Sequence, residues 1–368
     1  MASSSSSDKL YGLDHLRALA ITLVFVFHYG RLFPSPAWVT ALGKFGWTGV
    51  DLFFVLSGFL IASQLFARIR AGKGISLRQF FIKRFFRIIP GYLIVVTLYF
   101  LFPIVHEREA LAPLWRYLTF TQNLGLDLRS EGTFSHAWSL CIEEQFYLLL
   151  PLVLGRGVRK GWILASLFVA GIVLRYMIYR WQIMPLQAGD DWVIFWYKYI
   201  YYPTYTRLDG LLTGVCLAAM YVWRGEWMTT AQQHSARLLI AGLATLTIAY
   251  FVCEDEHTLT ASVAGFTIVA LGYGSLVAGV VVGKDRWYAR RNYITSWLAT
   301  LSYAIYLVHK MVIHVVQEAL AAGGIAKDGN VALLACTIAC IAAALALHYA
   351  VERPLAKIRQ HILSRPHK

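Results

Sequence analysis

Apolar runs long enough to cross a bilayer succeed one another along almost the whole chain, and they limit the possible folds more than any other feature. A hydrocarbon core about 30 Å thick needs roughly 20 helical residues. Ten such runs are expected, near 13–33, 46–69, 86–105, 138–154, 160–180, 205–223, 236–253, 258–282, 294–318 and 330–351. With 58% hydrophobic and 15% charged residues, the composition excludes a soluble domain. The expected fold is an all-α polytopic membrane protein, a bundle of about ten transmembrane helices. Residues 1–10, with Ser3 to Ser7, read as a disordered tail, 11–355 as one membrane domain, and 356–368 as a basic cytoplasmic tail. The first run lacks a small-residue cleavage site and reads as a retained anchor, not a signal peptide.

A net charge of +14 does not imply nucleic acid, because Lys and Arg collect between the apolar runs. The second connection carries Arg68, Arg70, Lys73, Arg78, Lys83, Arg84 and Arg87. The fourth carries Arg156, Arg159 and Lys160, and the eighth Lys284, Arg286, Arg290 and Arg291. The C-terminal tail adds Arg353, Lys357, Arg359, Arg365 and Lys368. With ten spans all of these fall on one side, which the positive-inside rule makes cytoplasmic, together with both termini. One opposite connection holds Glu254, Asp255 and Glu256. Two outer connections are long. Residues 106–137 hold His106, Glu107, Arg108, Asp127, Arg129, Glu131 and His136. Residues 181–204 hold Trp181, Trp192, Trp196, Tyr197, Tyr199, Tyr201 and Tyr202, which read as an interfacial belt in preference to a stacking surface for a sugar or acyl chain. The five cysteines give no disulfide framework and no zinc site, and read as packing residues.

The first run contains Arg17 and His28, eleven positions apart. At about 100° per residue the two side chains share a helix face, roughly 16 Å apart along the axis. An ionisable group at membrane depth marks a functional candidate facing a polar cavity, so Arg17 and His28 are expected to border one wet hollow. In WTGVDLFFVLSGFL, Asp51 reads as a solvated first-turn carboxylate. Ser57 and Gly58 lack the glycine pattern of a nucleophile elbow and read as helix packing. Arg84 and Arg87 share a face at the boundary of KRFFRIIPGY. They fit either anionic lipid, which charge alone favours, or a clamp on a phosphate-bearing cytosolic ligand. In HAWSLCIEEQFYLLLP, Ser139, Glu143 and Tyr147 form one stripe, with Glu144 off it. Glu143 can orient an imidazole, take a proton, or pair with an arginine. Arg207 and Asp209 cannot face each other on a helix, so each needs a partner from another span. Ser302, Tyr306, His309 and Lys310 mark the outer half of the ninth run, where a lone histidine reads first as a hydrogen-bonded packing residue. HExxH, Walker and GxGxxG patterns are absent, which counts against zinc-dependent, ATP-driven and dinucleotide chemistry.

In their order these segments resemble the acyltransferase-3 family of membrane acyltransferases. LDHLRALAITLVFVFH supplies an Arg-x10-His pair. GWTGVDLFFVLSGFLI, RFFRIIPGY, WSLCIEEQFYLLLP, RLDGLLTG, LSYAIYLVH and VERP follow, so the likeness spans roughly residues 11 to 355. The resemblance implies O-acyl transfer, often of acetyl, from cytosolic acetyl-CoA or another acyl-CoA. The acceptor would be a hydroxyl of an extracytoplasmic glycan, lipid-linked sugar or similar molecule. The setting would be a bacterial inner membrane, with membrane lipid around the protein, no metal, no nucleic acid, and a homo-oligomer left open.

The resemblance implies His28 as catalytic base with Arg17 its companion, and Glu143 as a third catalytic candidate. It places Arg84 and Arg87 on the CoA phosphates. Asp14, Asp51, Trp138, Ser139, Tyr147, Arg207, Asp209 and His309 become substrate-binding candidates. His15 and Val308 depart from the residues more usual in the family, glycine and tryptophan. No esterase-like domain follows residue 368, so direct transfer or a separate partner is expected. An acyl-enzyme on His28 or Ser139 is the competing route. The alternative of another class is a proton-coupled transporter or exporter with Arg17, His28, Glu143 and Asp209 along its path. The lack of an inverted repeat counts against it.

Overall fold

A computed structural model describes residues 10–155, 161–223, 225–283 and 286–364. The expected tail over 1–9 and the loop bases Arg156, Arg159, Lys160, Lys284, Arg365 and Lys368 lie outside the described residues. Among the described residues there is no strand.

Each expected apolar run contains a helix. They are α1 (Tyr11–Leu32), α2 (Gly49–Arg70), α3 (Leu77–Leu101), α4 (Trp138–Gly155) and α5 (Gly161–Ile178). They continue with α6 (Asp209–Trp223), α7 (Ser235–Val252), α8 (Phe266–Val282), α9 (Tyr293–Ala322) and α10 (Asn330–Leu347). Among the described residues, eight stretches are long and apolar enough to cross a membrane. The other two helices are α1 and α6. With 22 residues, α1 is about 33 Å long, but Asp14, Arg17 and His28 dilute its hydropathy. With 15 residues, α6 is apolar but only about 22 Å long. The chain is an all-α polytopic membrane protein. An amphipathic helix, α11 (Arg353–Ser364), follows α10 through a π turn and packs along α3.

The helix starts are local chemistry. The Ser76 side chain accepts from the Gln79 N–H and caps α3, and the Asn292 side chain accepts from the Thr295 N–H and caps α9. Packing then decides which faces are hidden. Leu167 of α5, Ile240 of α7 and Ile338 of α10 are exposed, as the lipid side of a membrane bundle requires. By contrast α2 and α8 are largely buried. The closest approach joins α2 to α6. A Cβ on Gly58 would lie 2.2 Å from the Leu211 carbonyl oxygen, and one on Gly214 would lie 2.3 Å from that of Val55. Gly58 is thus a helix-packing position, whereas Ser57 beside it donates to Glu143 of α4 at 2.6 Å. On its other side α2 meets α1, which packs in turn against α9. Asp14 and His15 fasten that contact. Ser296 donates to Asp14 at 3.3 Å, and the His15 ring pairs with the Thr295 hydroxyl at 2.6 Å and the Arg290 carbonyl at 2.8 Å.

The long connection 106–137 is a folded cap. Phe134 stacks on Tyr99 of α3 with ring centroids 4.6 Å apart and on Tyr117 at 5.9 Å. Tyr117 donates to the Thr133 carbonyl at 3.2 Å. Phe134 holds a left-handed backbone, φ 55°, which costs a bulky residue about 1–2 kcal/mol and persists because its ring is fully buried in this stack. That turn swings Ser135 and His136 back toward α9. The aromatic segment 181–204 corrects the belt expectation. Trp181 is exposed, but Trp196, Tyr201 and Tyr202 are buried and turn inward.

Candidate active site

Two cavities lie at successive levels of the bundle. The larger, about 950 Å³, sits at the His28 end of α1. Its wall includes His28 and Arg31 of α1, Glu107, Arg108, Ser135 and His136 of the cap, Tyr197, Tyr201 and Tyr202 of the aromatic segment, and Trp138 and Lys310. The smaller, about 160 Å³, lies toward the Arg17 end. It is lined by Arg17, Arg84 and Arg87, by Ser139, Glu143 and Tyr147 of α4, and by Ser57, Gln64 and Tyr306, among others.

Helical spacing therefore placed several residues correctly. The Ser139–Glu143–Tyr147 stripe does face one cavity, and Arg84 and Arg87 do share it. Arg84 lies 5.5 Å from the centre of the Tyr147 ring, and Glu143 accepts from Ser57 at 2.6 Å. The expectation that Arg17 and His28 border one hollow is corrected: they line different cavities. A thin partition separates them. The Phe54 ring, in the wall of the smaller cavity, meets the Trp138 ring edge-on at 6.0 Å, and Trp138 faces the larger. Beside them Tyr306 donates its hydroxyl to the His136 carbonyl. Its single proton is then committed, so Ser139 donates to the Tyr306 oxygen at 2.6 Å.

The geometry of His28 determines its tautomer. His309 Nδ1 lies 2.9 Å from the Tyr306 carbonyl and 3.1 Å from that of Ile305. Carbonyls only accept, so this nitrogen carries the proton. The other nitrogen of a neutral His309 is then an acceptor, and His28 Nδ1–H donates to it at 2.9 Å. The free lone pair of His28 is left on Nε2. His28 lines the large cavity while His309 lies fully buried behind it.

Lys310 and Glu107 complete this floor as a buried ion pair at 2.8 Å, each side chain 2% exposed. Burial pushes the Glu107 carboxyl up, but the Lys310 ammonium and the Phe134 N–H outweigh it and hold it below its usual 4.5. Arg129 ties the two outer connections together, bonding Asp127 at 3.0 Å and Asp191 at 3.1 Å. Its hydrogen bond holds Asp127 down at about 2.

Three candidates are engaged elsewhere. Asp51 is buried, not solvated, and takes Arg207 at 3.1 Å on both oxygens. Arg207 sits beneath the aromatic wall, 3.8 Å from the Phe266 ring centre and 4.8 Å from that of Tyr201. Asp209 takes Arg175 of α5 at 2.6 and 3.0 Å. Arg207 and Asp209 thus do find partners on other spans, as their spacing requires. Neither lines either cavity. Arg175, fully buried, escaped the sequence reading, although it is the single charged residue in α5. The pairing of Glu107 with Lys310 and the placing of His136 carried no such signal. Among the described residues no three His, Cys, Asp or Glu side chains are arranged to hold a metal ion.

A helical membrane bundle with an imidazole pair beneath one polar cavity and an arginine-lined second cavity defines a polytopic membrane protein with an intramembrane site. The chain belongs to the acyltransferase-3 family: a family model described as an acyltransferase domain matches residues 10–349. It is 28% identical over 324 residues to the peptidoglycan O-acetyltransferase OatA of Listeria monocytogenes, covering 82% of this chain and 49% of the relative. It is 28% identical over 330 residues to the O-acetyltransferase OatA of Staphylococcus aureus, covering 83% of this chain and 50% of the relative. The chain spans about half the length of these curated relatives. No solved structure matches it.

Proposed function

We propose that the protein is a membrane O-acetyltransferase that moves an acyl group from cytosolic acetyl-CoA to a hydroxyl of an extracytoplasmic or lipid-linked carbohydrate. The observation that carries the reading is the His309–His28 hydrogen bond, which leaves the His28 Nε2 lone pair for a ligand in the large cavity. His28 is the catalytic base, and His309 is the residue that positions it.

The acceptor binds in the large cavity against Trp138, Tyr201 and Tyr202, whose faces suit a sugar ring. The thioester rises from the Arg17 end, where Arg17, Arg84 and Arg87 offer cationic hydrogen bonds to phosphates. By the positive-inside rule that end faces the cytoplasm. The partition opens to let the acyl group meet the acceptor, with the Ser139–Tyr306 bond as its latch. His28 Nε2 takes the hydroxyl proton as the oxygen attacks the thioester carbonyl. The tetrahedral intermediate collapses, the carbon–sulfur bond breaks, and His28 returns the proton to the departing thiolate. The hydroxyl of Ser139 donates to a phenol oxygen and has no base, which favours direct transfer over an acyl-serine.

The transporter reading loses Asp209, which is held by Arg175 outside both cavities. The test is CoA release by the purified protein with acetyl-CoA and a panel of glycan acceptors. Acceptor-dependent release is expected. His28→Ala should lower it by 10²-fold or more while the protein melts like the parent. Undiminished release by folded His28→Ala would refute the assignment.

A further inference from the structure

We propose that α11 completes a docking site for the nucleotide phosphates of the acyl-CoA donor, with Arg359 as one of its ligands. This rests on the donor reading above. A cleft of about 450 Å³ opens between α3 and α11, lined by Lys83, Arg84, Arg87 and Arg359 with Gln64 and Ser364 beside them. No carboxylate is among its lining residues. Glu143 and Glu144 of α4 face Arg84, Glu143 from the wall of the smaller cavity, and Glu352 is held by His348 at 2.6 Å. Two carboxylates against four basic side chains leave the cleft with an excess of positive charge that an anion would offset. Arg84 keeps a buried Nε with no hydrogen-bond partner.

The cleft shares Gln64, Arg84 and Arg87 with the smaller cavity, so the two adjoin at those side chains. Their sizes suit the two parts of one ligand. The bulky phosphorylated nucleotide takes the 450 Å³ cleft, and the thin pantetheine arm takes the 160 Å³ cavity that leads toward the partition. Arg359 stands beyond residue 349, where the family match ends, so no family block marks it. The phosphate esters of an anionic lipid share the same chemistry, and the experiment separates the two sources.

The full-length protein is placed in nanodiscs, with and without anionic phosphatidylglycerol. KM is measured for acetyl-CoA and for acetyl-pantetheine, which carries the thioester without the nucleotide. Arg359→Glu should raise KM for acetyl-CoA about tenfold or more, an effect of the size expected for one charge-assisted phosphate contact. KM for acetyl-pantetheine should move less than twofold, in both lipid compositions, which also reports that the variant is folded. Equal shifts for both donors, no shift, or a shift only with anionic lipid would overturn the proposal. A parent protein that does not prefer acetyl-CoA to acetyl-pantetheine overturns the donor reading itself. A parent that does, with a silent Arg359→Glu, overturns only the part assigned to α11.

Discussion

At the scale of single residues, the account turns on which nitrogen of which imidazole is free. His309 gives its Nδ1 proton to backbone carbonyls one turn earlier on its own helix, and that forces His28 to donate from Nδ1. Glutamine in place of His309 keeps both functions, since its amide N–H can reach those carbonyls and its oxygen can accept from His28. We expect His309→Gln to retain most of the kcat and His309→Ala to lose about tenfold or more, with KM for acetyl-CoA unchanged in both. Initial-rate measurements of CoA release check this, and equal losses in the two variants would mean that His309 only fills space. Part of this was legible in the sequence. Spacing alone put Arg17 and His28 on one face of a helix. It could not say that a histidine 281 positions later stands behind the first, because periodicity reports which residues share a face and not what that face meets.

At the scale of elements, buried charges decide how the helices and the cap are tied. The Glu107–Lys310 pair pins the start of the cap connection to α9. Glu107→Gln leaves a buried ammonium without its counter-charge, which costs about 3–5 kcal/mol. A thermal-melting series in detergent should show that loss together with reduced activity. The same pair carries a pH dependence. The folded Glu107 pKa lies below its unfolded value of about 4.5, so its stabilisation is complete above that pH and is lost as pH falls through the folded value. The parent should lose stability on acidification below about 4.5 more steeply than Glu107→Gln, with the two melting curves converging at low pH. Parallel curves would show that the carboxylate does not titrate with folding. The apolar runs, the close helix packing at Gly58 and the need of Arg207 and Asp209 for partners were readable from the sequence, whereas the turn of Ser57 toward Glu143 was not. Their partners, Asp51 and Arg175, were not, since a local pattern does not specify which span packs opposite. The inward turn of Trp196, Tyr201 and Tyr202 was hidden for the same reason: composition alone does not separate an interfacial aromatic from one folded over a buried guanidinium.

For the whole molecule, the two cavities back to back matter most. Arg17, Arg84 and Arg87 gather at one level, the imidazole pair and the aromatic wall at another, with a layer of Trp138, Phe54, Ser139 and Tyr306 between them. A linear reading of α1 placed one continuous hollow along that helix, because it saw a face and not the side chains of α4 and α9 that divide it. Under the proposed function this division would separate a donor side from an acceptor side and make the reaction vectorial. The most direct measurement uses sealed proteoliposomes containing uniformly oriented protein, a carbohydrate acceptor trapped inside, and radiolabelled acetyl-CoA supplied only to the Arg17 face. The account predicts labelled acceptor in the lumen, CoA released outside, and neither with His28→Ala. Label on the acceptor only when donor and acceptor share one compartment would contradict it.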